Sequence, residues 1–255
     1  TFPQRLQQLR KFERGLYCLI NNAGAIMPEY SEKDGLEMTM RTNFLGPLGL
    51  TMNLLPQLRR YSAGAGAGAG ADVARIVTVT SRLEKNSKLS DIELANGPTG
   101  CGSQQNYSPM AAYSDSKHAQ LLGSLGLAKK LEASEKHNII VHAVTPGMVS
   151  TSLSRYLSTP VQWLVWPLQR MLLRTPEQGA MAVVHSATSR ETRGETGQYY
   201  SMSSSGEFSK VFDGASERSR NEKLAQSLVE NSMTLIARSD SDKDTVQNVN
   251  KTPKG

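Results

Sequence analysis

The sequence predicts an α/β protein organised as a doubly wound parallel sheet, and three features point that way. Residues 16–20, 75–81 and 138–144 are apolar or β-branched runs of strand length. The stretches between them carry apolar residues at helical spacing, so strands and helices alternate. Each run also ends in small or hydroxyl residues, and open α/β sheets bind ligands at the carboxyl ends of their strands. Alternation at this spacing requires parallel strands joined by right-handed crossovers.

The elements follow in order. Phe2, Leu6, Leu9 and Phe12 mark one side of an amphipathic helix over 3–14. Leu16-Tyr17-Cys18-Leu19-Ile20 reads as a strand buried on both faces, and it runs into Asn21-Asn22-Ala23-Gly24-Ala25. That loop fits a plain strand-to-loop turn, and equally a place where a ligand approaches the backbone. A helix is predicted over 35–60, with Leu36, Met40, Asn43, Phe44, Leu48, Met52 and Leu55 on one side. Asn43 is a polar group on that apolar stripe, so it is either a structural hydrogen-bonder or part of a site.

Residues 63–72 alternate Ala and Gly before Asp72 and have no side chains with which to build a core. They read as a flexible surface insertion, because the sheet pattern resumes afterwards. The strand over 75–81 ends in hydroxyls, and a loop rich in Gly, Asn and Ser covers 84–108. The helix bearing Ala112-Tyr113-Ser114-Asp115-Ser116-Lys117 runs to about residue 135, and the third strand leads into Thr145-Pro146-Gly147-Met148-Val149-Ser150-Thr151. Residues 160–173, with Trp163, Leu164, Val165 and Trp166, fit a lid over a greasy substrate, a membrane-touching helix or a packed surface helix. Pro176 opens another helix to about 185, 197–201 forms a last strand, and 215–236 a final amphipathic helix. The expected organisation is one domain over 1–237 and a disordered, polar tail over 238–255.

Composition excludes several function classes. The net charge of +6 is dispersed among acids, as in Arg190-Glu191-Thr192-Arg193-Gly194-Glu195, and no Lys/Arg block is interleaved with aromatics. Nucleic acid is therefore not an expected partner. No run of eighteen apolar residues suggests a transmembrane span. Cys18 and Cys101 are too few for a disulfide framework, and no Cys/His cluster has metal-ligand spacing, so no metal is expected. These features fit a cytoplasmic setting, with membrane association through 160–173 as an addition.

The chemistry begins at Tyr113 and Lys117. On a helix, i and i+4 share a face, so the phenol and the ammonium point the same way. A neighbouring cation favours the phenolate and can pull a phenol from about 10 towards neutrality. Such a tyrosine is a usable proton donor and acceptor near pH 7. The same spacing also fits a half-buried ring beside a solvated charge.

The ordered set of Asn21-Asn22-Ala23-Gly24, Asn43 within Thr42-Asn43-Phe44-Leu45-Gly46, Ser81, Tyr113 with Lys117, and 146–151 resembles the short-chain dehydrogenase/reductase family. The retinol dehydrogenase and WW-domain-containing oxidoreductase branch is the most similar, from the long loop between Ser81 and Tyr113 and the segments after Thr151. The resemblance covers roughly 16–236. It implies a Rossmann-like fold and an NADP- or NAD-dependent enzyme that interconverts an alcohol and a carbonyl on a lipophilic substrate, retinoid- or steroid-like. It assigns proton exchange to Tyr113, tuning of the phenol and a nicotinamide-ribose contact to Lys117, and polarisation of the substrate oxygen to Ser81. It makes Asn43 the holder of a water that links Lys117 to solvent. Asn22, Ala23 and Gly24 would line the adenosine side of the cofactor, and Pro146, Gly147, Val149 and Thr151 the nicotinamide end. Pairing of two copies through the long helices is implied as well.

The front of the chain departs from the family. No Gly-rich turn of the form Thr-Gly-x-x-x-Gly-x-Gly stands ahead of Leu16, although the family holds the cofactor pyrophosphate on one. A first βαβ unit is missing, which leaves the 16–20 strand with an open apolar edge and predicts poor dinucleotide affinity for the chain as given. Two readings follow: a partial sequence of a longer enzyme, or a truncated, catalytically impaired paralogue that binds or regulates.

Overall fold

A computed structural model describes residues 13–64, 73–100, 104–134, 139–147, 174–203, 206–211 and 215–249. The sheet is built from β1 (Cys18–Asn21), β4 (Ala74–Val79), β5 (Ile139–Thr145), β6 (Gln198–Met202) and β7 (Phe208–Lys210), side by side in that order. The first four are mutually parallel and β7 pairs antiparallel with β6. Cys18 stands opposite Arg75, and Ala74 opposite Ile139, so the carboxyl ends of β1, β4 and β5 come out along one rim. The doubly wound parallel architecture is thus as predicted, with an antiparallel edge hairpin added.

Between β1 and β4 the chain first makes a small hairpin, β2 (Glu32–Lys33) with β3 (Leu36–Glu37). Its turn places Asp34 at φ 58° and Gly35 at φ 71°, the left-handed geometry that tight hairpins demand. The helix expected from residue 35 therefore starts later. It opens as α1 (Met38–Met40), capped by the Glu37 carboxylate, widens into a π-helical segment at Arg41–Leu45, and continues as α2 (Gly46–Gly64). After β4 come a 3₁₀ turn (Arg82–Asn86) and the short α3 (Asp91–Ala95), closed by a Ser90/Glu93 capping box. These occupy a stretch predicted as loop.

The centre of the molecule is α4 (Pro109–Ala133), which carries Tyr113 and Lys117 and is buried around its whole circumference from Ala112 to Ala128. Two glycines allow that. A methyl on Gly123 would press into the Phe44 ring, and one on Gly126 would overlap the Ala225 carbonyl. Phe44 thus wedges α4 from the α2 side, while α6 (Glu222–Val249) lies across the other side, with Leu224, Ala225 and Leu228 in the shared core. The opposite face of the sheet is covered by α5 (Pro176–Thr188), where Ala182 and Ala187 pack on Val77 and Val144.

Two expectations are corrected here. Residues 16–20 were expected to be buried on both faces with an open edge; β1 is the outermost strand among the described residues, but Cys18 and Leu19 are only half-buried and Ile20 is 43% exposed. The final helix was expected to stop near 236. It continues to Val249, because neither Gly nor Pro interrupts 215–252 and its first turns, docked on α4, provide the nucleus from which helix propagates. The helix expected over 3–14 lies outside the described residues up to 12, as do 65–72 of the Ala/Gly stretch, all of 160–173, and 250–255.

Candidate active site

The rim at the carboxyl ends of β1 and β4 meets the first turns of α4, and there the candidate residues converge. Lys117 Nζ donates to the Val79 carbonyl at 3.0 Å and to Gln120 Oε1 at 2.8 Å. Thr80 Oγ1 donates to the Lys117 carbonyl at 2.8 Å, which pins the helix to the strand end beside Ser81. Ser81 caps the 3₁₀ turn, accepting from the Leu83 N–H at 3.3 Å, and its hydroxyl also serves the Tyr113 phenol as a hydrogen-bond partner. Lys117 Nζ lies 5.4 Å from the centre of the Tyr113 ring.

Asn43 is fully buried, and its side chain is completely engaged. Its Oδ1 accepts from the Ala25 N–H at 2.8 Å, and its Nδ2 donates to the Ala25 carbonyl and to Ser116 Oγ, both at 2.9 Å. It therefore fixes the loop after β1 against α4. Gly24 in that loop is the point of closest approach: a Cβ there would lie 3.4 Å from Lys117 Nζ and 3.5 Å from Asn43 Oδ1. Asn22 and Ala23 are exposed beside it. The loop after β5 supplies Pro146 and Gly147, the latter at φ 78°. The Arg174 guanidinium lies over this turn, with Nη1 donating to the Pro146 carbonyl at 3.2 Å. Val149 and Thr151 lie outside the described residues.

The electrostatics differ from the expectation drawn from spacing alone. Burial raises the Tyr113 phenol above its usual 10, and the Ser81 hydrogen bond only partly opposes this. Burial also pulls the Lys117 ammonium down to about 8. The shared helix face is real, but the Nζ hydrogen bonds go to Val79 and Gln120, and desolvation of the phenol prevails. At neutral pH the chain thus presents a protonated phenol and a charged lysine of reduced basicity.

Burial acts likewise on His118 and His142, holding each imidazole down at about 4. Between pH 6.5 and 4 the unfolded chain binds protons that the folded chain refuses. Stability should therefore fall as pH drops through that window, by up to roughly 3 kcal/mol per histidine. Urea midpoints at pH 7 and pH 4.5 measure this, and His118→Leu should flatten the dependence.

Three contributors were not anticipated from sequence. Gln120 sits three residues after Lys117 on the same helix face, a spacing that could have flagged it. Thr80 and Arg174 act through contacts between distant segments and carry no local signal.

No family model matches the chain. It is 35% identical to retinol dehydrogenase 14 of Homo sapiens over 199 residues, covering 76% of this chain and 53% of that protein. It is 34% identical to polyprenol dehydrogenase of Danio rerio over 185 residues, covering 72% and 53%. The chain spans about half the length of these curated relatives. Among solved structures, an uncharacterised Mycobacterium paratuberculosis protein superposes with a TM-score of 0.60 at 24% identity, covering 91% of this chain and 72% of that one. The Pseudomonas aeruginosa RhlG/NADP complex gives 0.52 at 21% identity, covering 78% and 69%. Motif order, sheet order and these relatives together place the chain in the short-chain dehydrogenase/reductase family.

Proposed function

We propose that the described residues form the proton-handling and nicotinamide end of an oxidoreductase site that interconverts an alcohol and a carbonyl on a lipophilic, isoprenoid-like substrate. The observation that carries this is the convergence of Ser81, Tyr113 and Lys117 at one strand end, with Gly24 leaving open backbone beside the ammonium. Retinol and polyprenol dehydrogenases among the relatives support the substrate class, and an NADP-bound neighbour of the same fold supports a nicotinamide cofactor, NADP or NAD.

The fit to the cofactor is local. A Cβ on Gly147 would crowd the Arg174 guanidinium and one on Gly24 would only touch Lys117 Nζ, and both loops present bare backbone at the rim. A bound nicotinamide dinucleotide would supply the hydride. Tyr113 hands its phenolic proton to the substrate oxygen in the reducing direction, and its elevated pKa keeps that proton in place until then. Ser81, half-exposed beside the phenol, donates to the same oxygen as negative charge builds on it. Lys117, held by Val79 and Gln120, stabilises the phenolate left behind.

Ser81→Ala tests this assignment. Loss of one oxyanion donor should lower kcat by about 10²-fold with a long-chain isoprenoid aldehyde, read from nicotinamide absorbance. A rate equal to the native one would contradict the role. A second reading, a fold-retaining binding or regulatory protein, is favoured by the Lys117 hydrogen bonds being directed at Val79 and Gln120. It predicts that no pairing of dinucleotide and carbonyl turns over. The family habit of pairing through the long helices meets an obstacle, since α6 of the same chain lies along α4. Among the described residues no helix is long and apolar enough to cross a membrane. Contact with lipid through 160–173 is part of the proposal, and sedimentation with vesicles would report it.

A further inference from the structure

The hydrogen bonds under Lys117 form a chain that the proposed chemistry does not by itself require. Lys117 Nζ donates to Gln120 Oε1 at 2.8 Å, and Gln120 Nε2 donates to the Asn43 backbone carbonyl at 2.6 Å. That carbonyl is available for a reason written in the sequence. In an α-helix its donor would be the N–H of residue 47, and residue 47 is proline, which has none. The backbone around Asn43 is accordingly π-helical rather than α-helical. The carbonyl has lost its α-helical donor, and Gln120 Nε2 donates to it from α4.

The amide has only one workable orientation. Its oxygen must face the ammonium, which only donates, and its nitrogen must face the carbonyl, which only accepts. Reversing it would place donor against donor and acceptor against acceptor. Gln120 is almost fully buried, and Ser124 Oγ donates to its backbone carbonyl at 2.8 Å, tying the next turn of α4 to it. It also borders a cavity of about 30 Å³, room for a water, whose mainly apolar wall carries the polar groups of Asn21, Thr51, Thr78 and Ser124. The amide stands between that cavity and Lys117.

We infer that Gln120 is a positioning residue of the site, bridging the Lys117 ammonium to the Asn43 carbonyl, which Pro47 deprives of its α-helical donor, and so fixing where the ammonium lies. The resemblance gives a link from Lys117 to Asn43 to a water; here a side chain fixed by its own helix makes it. The consequence is a lysine whose position depends on the π segment of the neighbouring helix. Its functional meaning rests on the oxidoreductase reading, whereas the bridge itself does not. Nothing in the bridge needs dinucleotide or substrate to be present.

The test is an NMR titration of the chain with ¹³Cε-labelled lysine, in which Lys117→Arg identifies the Lys117 signal. In the native chain the midpoint should lie near 8, where burial places it. Gln120→Met keeps the length but removes the acceptor, and should lower the midpoint by about one pH unit; Gln120→Glu should raise it by about one unit or more. Midpoints within about 0.2 unit of native in both folded variants would overturn the bridge. A third measurement needs no variant. The Gln120 side-chain N–H bonded to Asn43 should exchange slowly with water in the native chain, and a freely exchanging amide would overturn the bridge even if both variants failed to fold. The outcomes separate cleanly. The expected titration shifts without hydride transfer keep the bridge and remove the oxidoreductase reading, and hydride transfer without the shifts removes the bridge alone.

Discussion

Tyr113→Phe is expected to lower turnover by about 10²–10⁴-fold, the usual contribution of one positioned acid or base. The substitution removes a single hydroxyl from a ring that is 8% exposed, so the packing of α4 is kept. Ser81 can still polarise the substrate oxygen and Lys117 can still lie against the ring face, 5.4 Å from its centre. What is lost is the proton. Because burial raises the phenol above 10, native Tyr113 is protonated throughout the neutral range, and no other side chain named at this rim offers a neutral acid beside Ser81. The loss should therefore fall on kcat rather than KM. Steady-state rates with matched circular dichroism spectra check it, and an unchanged kcat would remove Tyr113 from the chemistry.

The second large effect concerns stability. Arg75, the second residue of β4, is completely buried. Nη1 donates to the Ser186 carbonyl at 2.8 Å and to Thr192 Oγ1 at 2.6 Å, and Nη2 donates to the Ser189 carbonyl at 2.6 Å. Those carbonyls belong to the last turn and C-cap of α5, where a cation also meets the negative end of the helix dipole. Tyr17 adds a hydrogen bond to the Ala187 carbonyl at 2.9 Å from the neighbouring edge. Arg75→Met keeps the bulk and removes every donor, leaving the Ser186 carbonyl without this partner and the Ser189 carbonyl and Thr192 hydroxyl with only the bond between them. Each orphaned group costs about 1–3 kcal/mol, offset in part by no longer burying a charge. A net loss of about 2–4 kcal/mol is expected, read as a lower urea midpoint with unchanged slope. A shift below about 0.5 kcal/mol would mean that water replaces the guanidinium without penalty. Since β4 presents Val79, Thr80 and Ser81 at its far end, this anchor also supports the site.

The sheet and the main helices were legible because long apolar periodicities are local and redundant. The strands around Ile76 and Val141 are fully buried runs, and Leu122, Leu125 and Leu131 repeat at helical spacing behind Tyr113. Smaller pieces were written in the sequence too, but in single residues. Asp34-Gly35 is a hairpin turn signal, Ser90 with Glu93 is a capping box, and Pro47 deprives the Asn43 carbonyl of its α-helical donor. Other features had no local trace. Gln120 and Asn43 are 77 positions apart, and Arg174 reaches the Pro146 carbonyl across 28, so only the fold brings them together. The direction in which the Tyr113 pKa moves was not legible for a similar reason. Spacing reports that a lysine is near, whereas the depth of the phenol and the hydrogen bonds holding the ammonium are tertiary properties.

The central claim is that Ser81, Tyr113 and Lys117 form the proton-handling end of a hydride-transfer site. It is tested most directly by incubating the protein with dinucleotide deuterated at the nicotinamide C4 and a long-chain isoprenoid aldehyde, then weighing the alcohol formed. The account predicts one deuterium on the product carbon with the native chain, and at least about 10²-fold less labelled product with Tyr113→Phe. Equal labelling by both proteins, or none from the native chain saturated with either dinucleotide, would contradict it.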